Sequence, residues 1–147
     1  MSDTSLSDWR EHILAGNSYL KTARKGLKRA HVFTNALIHQ LTAMGIERLL
    51  VGMYHYHRQM PADHTLSGLV DGLDLLCPLP VDLADGIKAL EQYDDMCPLL
   101  PTHRNVPDDG AIDAMLTLGC RLMEFTEGHT HQDADRMTAS QAGLIRG

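Results

Sequence analysis

The stretch Thr34 to Gln59 reads TNALIHQLTAMGIERLLVGMYHYHRQ, and it decides the fold. Leu37, Ile38, Leu41, Met44, Leu49, Leu50 and Met53 recur at helical spacing, with no proline before Pro61. At 1.5 Å per residue the segment predicts a helix roughly 35–40 Å long. That is long enough to be the spine of a bundle.

Towards the N-terminus, a short helix is expected from Leu6 through Trp9, Ile13 and Leu14 to Gly16, capped by Ser7 or Asp8. Asn17 or Ser18 then caps a second helix carrying Leu20, Ala23, Leu27 and Ala30, or the first helix simply continues. Towards the C-terminus, Pro61 ends the long helix and Asp63 is placed to cap the next, with Leu66, Leu69, Val70, Leu73 and Leu76 on its buried side. Asp82 opens a further helix through Ile87, Leu90 and Tyr93. Residues 97–107 hold three prolines and no periodicity, which predicts the longest loop.

Pro107, Asp108 and Asp109 suit the start of a last helix, because proline tolerates the first turn and acidic side chains favour its positive end. Its core stripe is Ile112, Met115, Leu116, Leu118, Leu122, Met123 and Phe125. No run alternates as a strand does. The fold class expected is all-α: an antiparallel up-and-down bundle of four to five helices with a short extra N-terminal helix. The bundle occupies residues 1–127, and residues 128–147 form a polar, flexible tail.

Composition agrees with one compact domain: 147 residues, 44% hydrophobic and 22% charged. Cys77, Cys97 and Cys120 are odd in number and contain no CxxC pair, which argues against a disulfide framework or a cysteine-rich zinc site and fits a reducing cytoplasm. No segment has the apolar length of a membrane span. The net charge of −6 is unevenly spread: residues 1–60 carry eight Lys/Arg against four Asp/Glu, and residues 61–147 carry five against fifteen. Either the basic half meets an acidic or phosphate-bearing partner, or the two halves face each other.

Three motifs, in order, resemble the HEPN family of helical nucleotide-binding domains. Ala43-Met44-Gly45-Ile46-Glu47-Arg48-Leu49-Leu50 is similar to the family's core segment in the long helix. Pro61-Ala62-Asp63-His64-Thr65-Leu66 is similar to its histidine-x-leucine start of the following helix. Leu90-Glu91-Gln92-Tyr93-Asp94, a proline loop, Asp108-Asp109 and an apolar helix are similar to its C-terminal half. The likeness covers residues 18–127. It implies a homodimer, a nucleotide or RNA ligand, and a nucleotidyltransferase-like protein partner of the kind found in toxin–antitoxin systems.

Two positions depart from the family pattern. Val51 stands where a lysine is frequent, and Arg104-Asn105 opens the ribonuclease motif without the histidine that should follow, since Asp109, Gly110 and Ala111 hold the positions where it is due. Cleavage through the RNA 2′-hydroxyl needs a group that exchanges protons near neutrality, as histidine does. A carboxylate at a helix N-terminus is favoured as the anion, which makes Asp109 a poor substitute. The expectation is a non-catalytic binding module. A divergent metal-independent ribonuclease is the alternative, using Arg104 and Asn105 with a histidine from elsewhere, His103 or His64.

The nucleotide- or RNA-binding candidates are Lys21, Arg24, Lys25, Lys28 and Arg29, a basic stripe at spacings of three and four, together with Glu47, Arg48, His55, His64 and Arg104. The stripe reads equally as a solvated face answering the acidic half. Arg48 and His55, seven apart, share one helix face. No cofactor is read from the sequence, and no phosphate-cradling glycine loop is present. No metal ligands are read either: His55 and His57 point about 200° apart on a helix, and His31 and His39 miss the i, i+4 spacing. His129 and His131 read as polar tail residues. A helical-bundle metal protein remains a further alternative.

Overall fold

The computed structural model describes the backbone of residues 3–93 and 106–146 and the side chains of residues 9–93 and 106–131. Five α-helices and two 3-10 turns follow in order: α1 (Asp3–Gly26), a turn at Leu27–Arg29, α2 (Asn35–Tyr56), α3 (Leu66–Leu73), α4 (Val81–Ala89), a turn at Leu90–Tyr93, and α5 (Asp109–Arg146). No strand occurs among the described residues. The all-α bundle is therefore present. No described helix is long and apolar enough to cross a membrane.

The central element is α2, against which α1, α3 and α5 pack, while α4 lies on α3 and α5. Leu49, Leu50, Ile46 and Met53 of α2 are fully buried, as are Leu69 and Leu73 of α3, Leu83 and Ile87 of α4, and Ile112, Met115 and Leu122 of α5. Burial of each such side chain contributes about 1.5–3 kcal/mol. Leu37 and Met44 are not part of this core: at 36% and 44% exposure they mark the outer face of α2. Val51, 6% exposed, belongs to it, and a lysine there would have to bury its charge.

Helix α1 runs antiparallel to α2, because Ile13 lies against Gly52, Gly16 against Gly45 and Gly26 against Phe33. The short extra N-terminal helix expected from the sequence is not a separate element. Gly16 does not end a helix. It lies where a side chain would collide, since a Cβ there would sit 2.8 Å from the Gly45 carbonyl oxygen and from the Leu49 side chain. Helix α5 runs parallel to α2, with Asn35 Nδ2 donating to Asp109 Oδ1 (3.0 Å) and to the Pro107 carbonyl (3.1 Å) at their N-terminal ends. It is antiparallel to α4, where Asp82 pairs with Arg121 (2.8 Å) and Gly86 abuts Leu118.

Local chemistry sets the helix ends. Thr34 Oγ1 accepts from Leu37 N–H (3.1 Å) and caps α2. Pro61 does not stop α2: the helix closes earlier, with Gln59 N–H donating to the Tyr54 carbonyl (2.9 Å) and Arg58 N–H to that of His55 (2.9 Å). This pattern requires a left-handed residue at Arg58, whose φ is 59°. Left-handed geometry costs a non-glycine residue about 1–2 kcal/mol, and glycine's extra freedom in the unfolded chain offsets part of that. Arg58→Gly is therefore expected to stabilise the fold by about 0.5–1 kcal/mol. A urea midpoint unchanged or lowered would contradict this account of the α2 terminus.

Asp63 is not the cap of α3. That cap is Thr65, whose Oγ1 accepts from Gly68 N–H (3.1 Å), while Asp63 accepts from the Thr65 N–H (2.9 Å) and hydroxyl (3.0 Å). These two bonds hold the Asp63 carboxyl below the usual carboxylate range. Glu91 Oε1 accepts from Ser67 N–H (2.6 Å), so the turn after α4 satisfies another free donor of α3. Asp108 Oδ1 accepts from Ala111 N–H (2.8 Å) and starts α5 one residue beyond Pro107. Helix α5 then passes Gly128, where the sequence suggested the start of a flexible tail, and continues to Arg146.

Candidate nucleic-acid interface

Lys21, Arg24, Lys25, Lys28 and Arg29 occupy the last turns of α1 and the 3-10 turn after it, and all five are exposed. Cations are favoured there because the helix C-terminus carries partial negative charge. The chain reverses at once, with Val32 and Phe33 N–H donating to the Arg29 carbonyl (2.9 and 2.8 Å). That reversal sets the Phe33 ring against Gly26, where a Cβ would lie 2.6 Å from the ring. The five cations, Thr22 and Phe33 thereby line an open cleft of about 660 Å³.

The ion pairs found among the described residues are Lys88–Asp71, Arg121–Asp82 and His64–Glu47, so none involves the stripe. Among the described residues the stripe therefore has no direct ion pair with an acid. Arg24 also lines a second groove, together with Asp113, Glu124 and Arg121.

The other binding candidates do not join this cleft. Glu47 and His64 meet at 3.7 Å, but at the surface, with 43% and 65% of their side-chain area open to solvent. Such a surface pair contributes little energy. Arg48 and His55 are half-buried on α2; Arg48 Nε is buried without a hydrogen-bond partner, and the His55 ring lies 4.8 Å from that of His12 on α1. Arg104, Asn105 and His103 lie outside the described residues.

A second cluster was not legible in the sequence. His57 caps the C-terminus of α2, Cys77 follows α3 with its N–H donating to the Leu73 carbonyl (2.7 Å), and His129 stands on α5. His57 Nε2 and His129 Nε2 are hydrogen-bonded at 2.9 Å although separated by 72 residues, and one ring nitrogen from each histidine and Cys77 Sγ all lie within 4.8 Å of one another. His129 is thus a half-buried helical residue and not part of a loose tail. Cys77 is 5% exposed, and burial pushes its thiol up to about 11. Aromatic rings surround the cluster: Tyr56 lies 5.3 Å from His57 and 5.7 Å from His129, and Phe125 stacks parallel to His129 at 6.1 Å.

No protein-family model, curated protein or solved structure matches this chain.

Proposed function

We propose that this chain is a HEPN-like helical module that binds phosphate-bearing ligands, nucleotide or RNA, in the basic cleft at the end of α1. One observation carries the reading: five exposed cations converge around a cleft with an aromatic ring in its wall, and none of them pairs with an acid among the described residues. Phosphate charge supplies the attraction, and counterion release makes it steeply salt-dependent. Phe33 supplies a surface on which a base can stack, an interaction worth about 1–3 kcal/mol per base. The net charge of −6 would repel a polyanion elsewhere on the surface and so favours this end of the molecule.

The test is fluorescence anisotropy with a short labelled single-stranded RNA across a salt series. With four or five phosphates engaged, the slope of log K against log salt should be roughly −3, about −0.7 per phosphate. The double variant Lys25→Glu/Lys28→Glu should weaken binding about tenfold or more at low salt and flatten the slope. Affinity that ignores both salt and the charge reversal would reject the proposal.

A further inference from the structure

We infer that His57, Cys77 and His129 form a binding site for one divalent transition-metal ion of the zinc class, a property separate from the basic cleft. Two imidazole nitrogens and one thiolate are a borderline-soft donor set, which suits Zn²⁺ and its first-row neighbours and does not suit Mg²⁺ or Ca²⁺.

The geometry is close to that of a bound site. Metal–nitrogen bonds of about 2.0–2.1 Å and a metal–sulfur bond of about 2.3 Å at tetrahedral angles place the nitrogens about 3.3 Å apart and each about 3.5 Å from the sulfur. Here the two Nε2 atoms are 2.9 Å apart, and no donor pair exceeds 4.8 Å. Binding requires the imidazoles to part by a few tenths of an ångström and the sulfur to close on them from within 4.8 Å. The hydrogen bond between the two Nε2 atoms gives way, the donor ring shifting its proton to Nδ1 by exchange with solvent; both imidazole lone pairs and the thiolate then bind the ion, and the thiol proton passes to solvent.

The ligands are also preorganised. They come from three elements, the end of α2, the α3–α4 connection and α5, and the first two are pinned by backbone hydrogen bonds at His57 and Cys77. Phe125 and Tyr56 restrict the His129 ring. Three protein ligands leave a fourth position for water, on the side of the half-buried histidines and away from the buried cysteine. A bound ion would staple these three elements at one point and stabilise the fold by mass action.

The experiment titrates the chelator-treated full chain with Co²⁺ alone and follows its optical spectrum. A thiolate-to-cobalt charge-transfer band saturating at one equivalent per chain is expected, reversed by Zn²⁺ and unaffected by Mg²⁺. Cys77→Ser should abolish the band, whereas Cys120→Ser, at a half-buried cysteine outside the cluster, should keep it. His129→Gln and His57→Gln each should weaken Co²⁺ binding at least about tenfold, and they test the site even if Cys77→Ser fails to fold, which circular dichroism reports. Absence of the band in the wild-type chain overturns the inference. So does a band that persists in folded Cys77→Ser, or binding unchanged in both histidine variants.

Discussion

Leu20→Ala should destabilise the protein by about 3–5 kcal/mol, the upper range for removing a buried leucine. Leu20 is 1% exposed and occupies the junction of three helices: a Cβ on Gly45 of α2 would lie 2.7 Å from its Cγ, and a Cβ on Gly119 of α5 would lie 2.7 Å from its Cδ2. The leucine fills space that two glycines leave, so its removal opens a cavity whose walls are partly backbone and relax little. Leu14→Ala, at 68% exposure on the same helix, should change stability by less than about 0.5 kcal/mol. The junction also predicts coupling: Gly119→Ala should cost stability in the wild type and restore some in the Leu20→Ala background. Coupling of about 1 kcal/mol or more in denaturant unfolding is expected, and strict additivity would contradict the packing described.

Gly16→Val should lower stability by about 3 kcal/mol, for the opposite reason. A Cβ at Gly16 meets the Gly45 carbonyl and the Leu49 side chain, both at 2.8 Å. A backbone carbonyl cannot swing aside, so α1 and α2 must separate along the seam that holds them together. Gly128→Ala is the matched control, because nothing lies within 4 Å of the Cβ it would add and α5 continues past it. With no packing cost, the helix preference for alanine should stabilise the protein by about 0.5–1 kcal/mol. Two helical glycines should therefore respond with opposite signs. If Gly16→Val is tolerated as well as Gly128→Ala, α1 does not lie this close to α2.

These two glycines show where sequence reading stops. Periodicity finds a helix because the apolar positions that define it are neighbours in the chain, and the α2 stripe and the Thr34 boundary were legible on that ground. Whether Gly16 breaks a helix or admits a neighbouring helix depends on what packs against it, and that neighbour, Gly45, is remote in sequence. Leu37 and Met44 fit the stripe by spacing yet face outward, since the stripe is wider than the surface that α1, α3 and α5 cover. The sequence points to Pro61 as the end of α2 because a left-handed arginine leaves no compositional signal.

The same distinction governs the sites. The basic stripe was visible because its members are one or two turns apart on one helix, and the structure adds Phe33 and the turn that closes the cleft. The His57, Cys77 and His129 cluster was not visible, because spacing rules for metal sites look for local pairs and these ligands come from three separate elements. The nearby histidine pair that the sequence did suggest for scrutiny, His55 and His57, diverges: His55 faces His12 on α1, and His57 faces His129 on α5.

The most direct test of the basic cleft is residue-resolved nuclear magnetic resonance, with the ¹⁵N-labelled chain titrated at low salt with a short single-stranded RNA. Amide shifts should move at Lys21, Arg24, Lys25, Lys28, Arg29 and Phe33 and fade as salt is raised. Shifts centred instead on Glu47, Arg48, His55 and His64, or no shifts at all, would contradict the account.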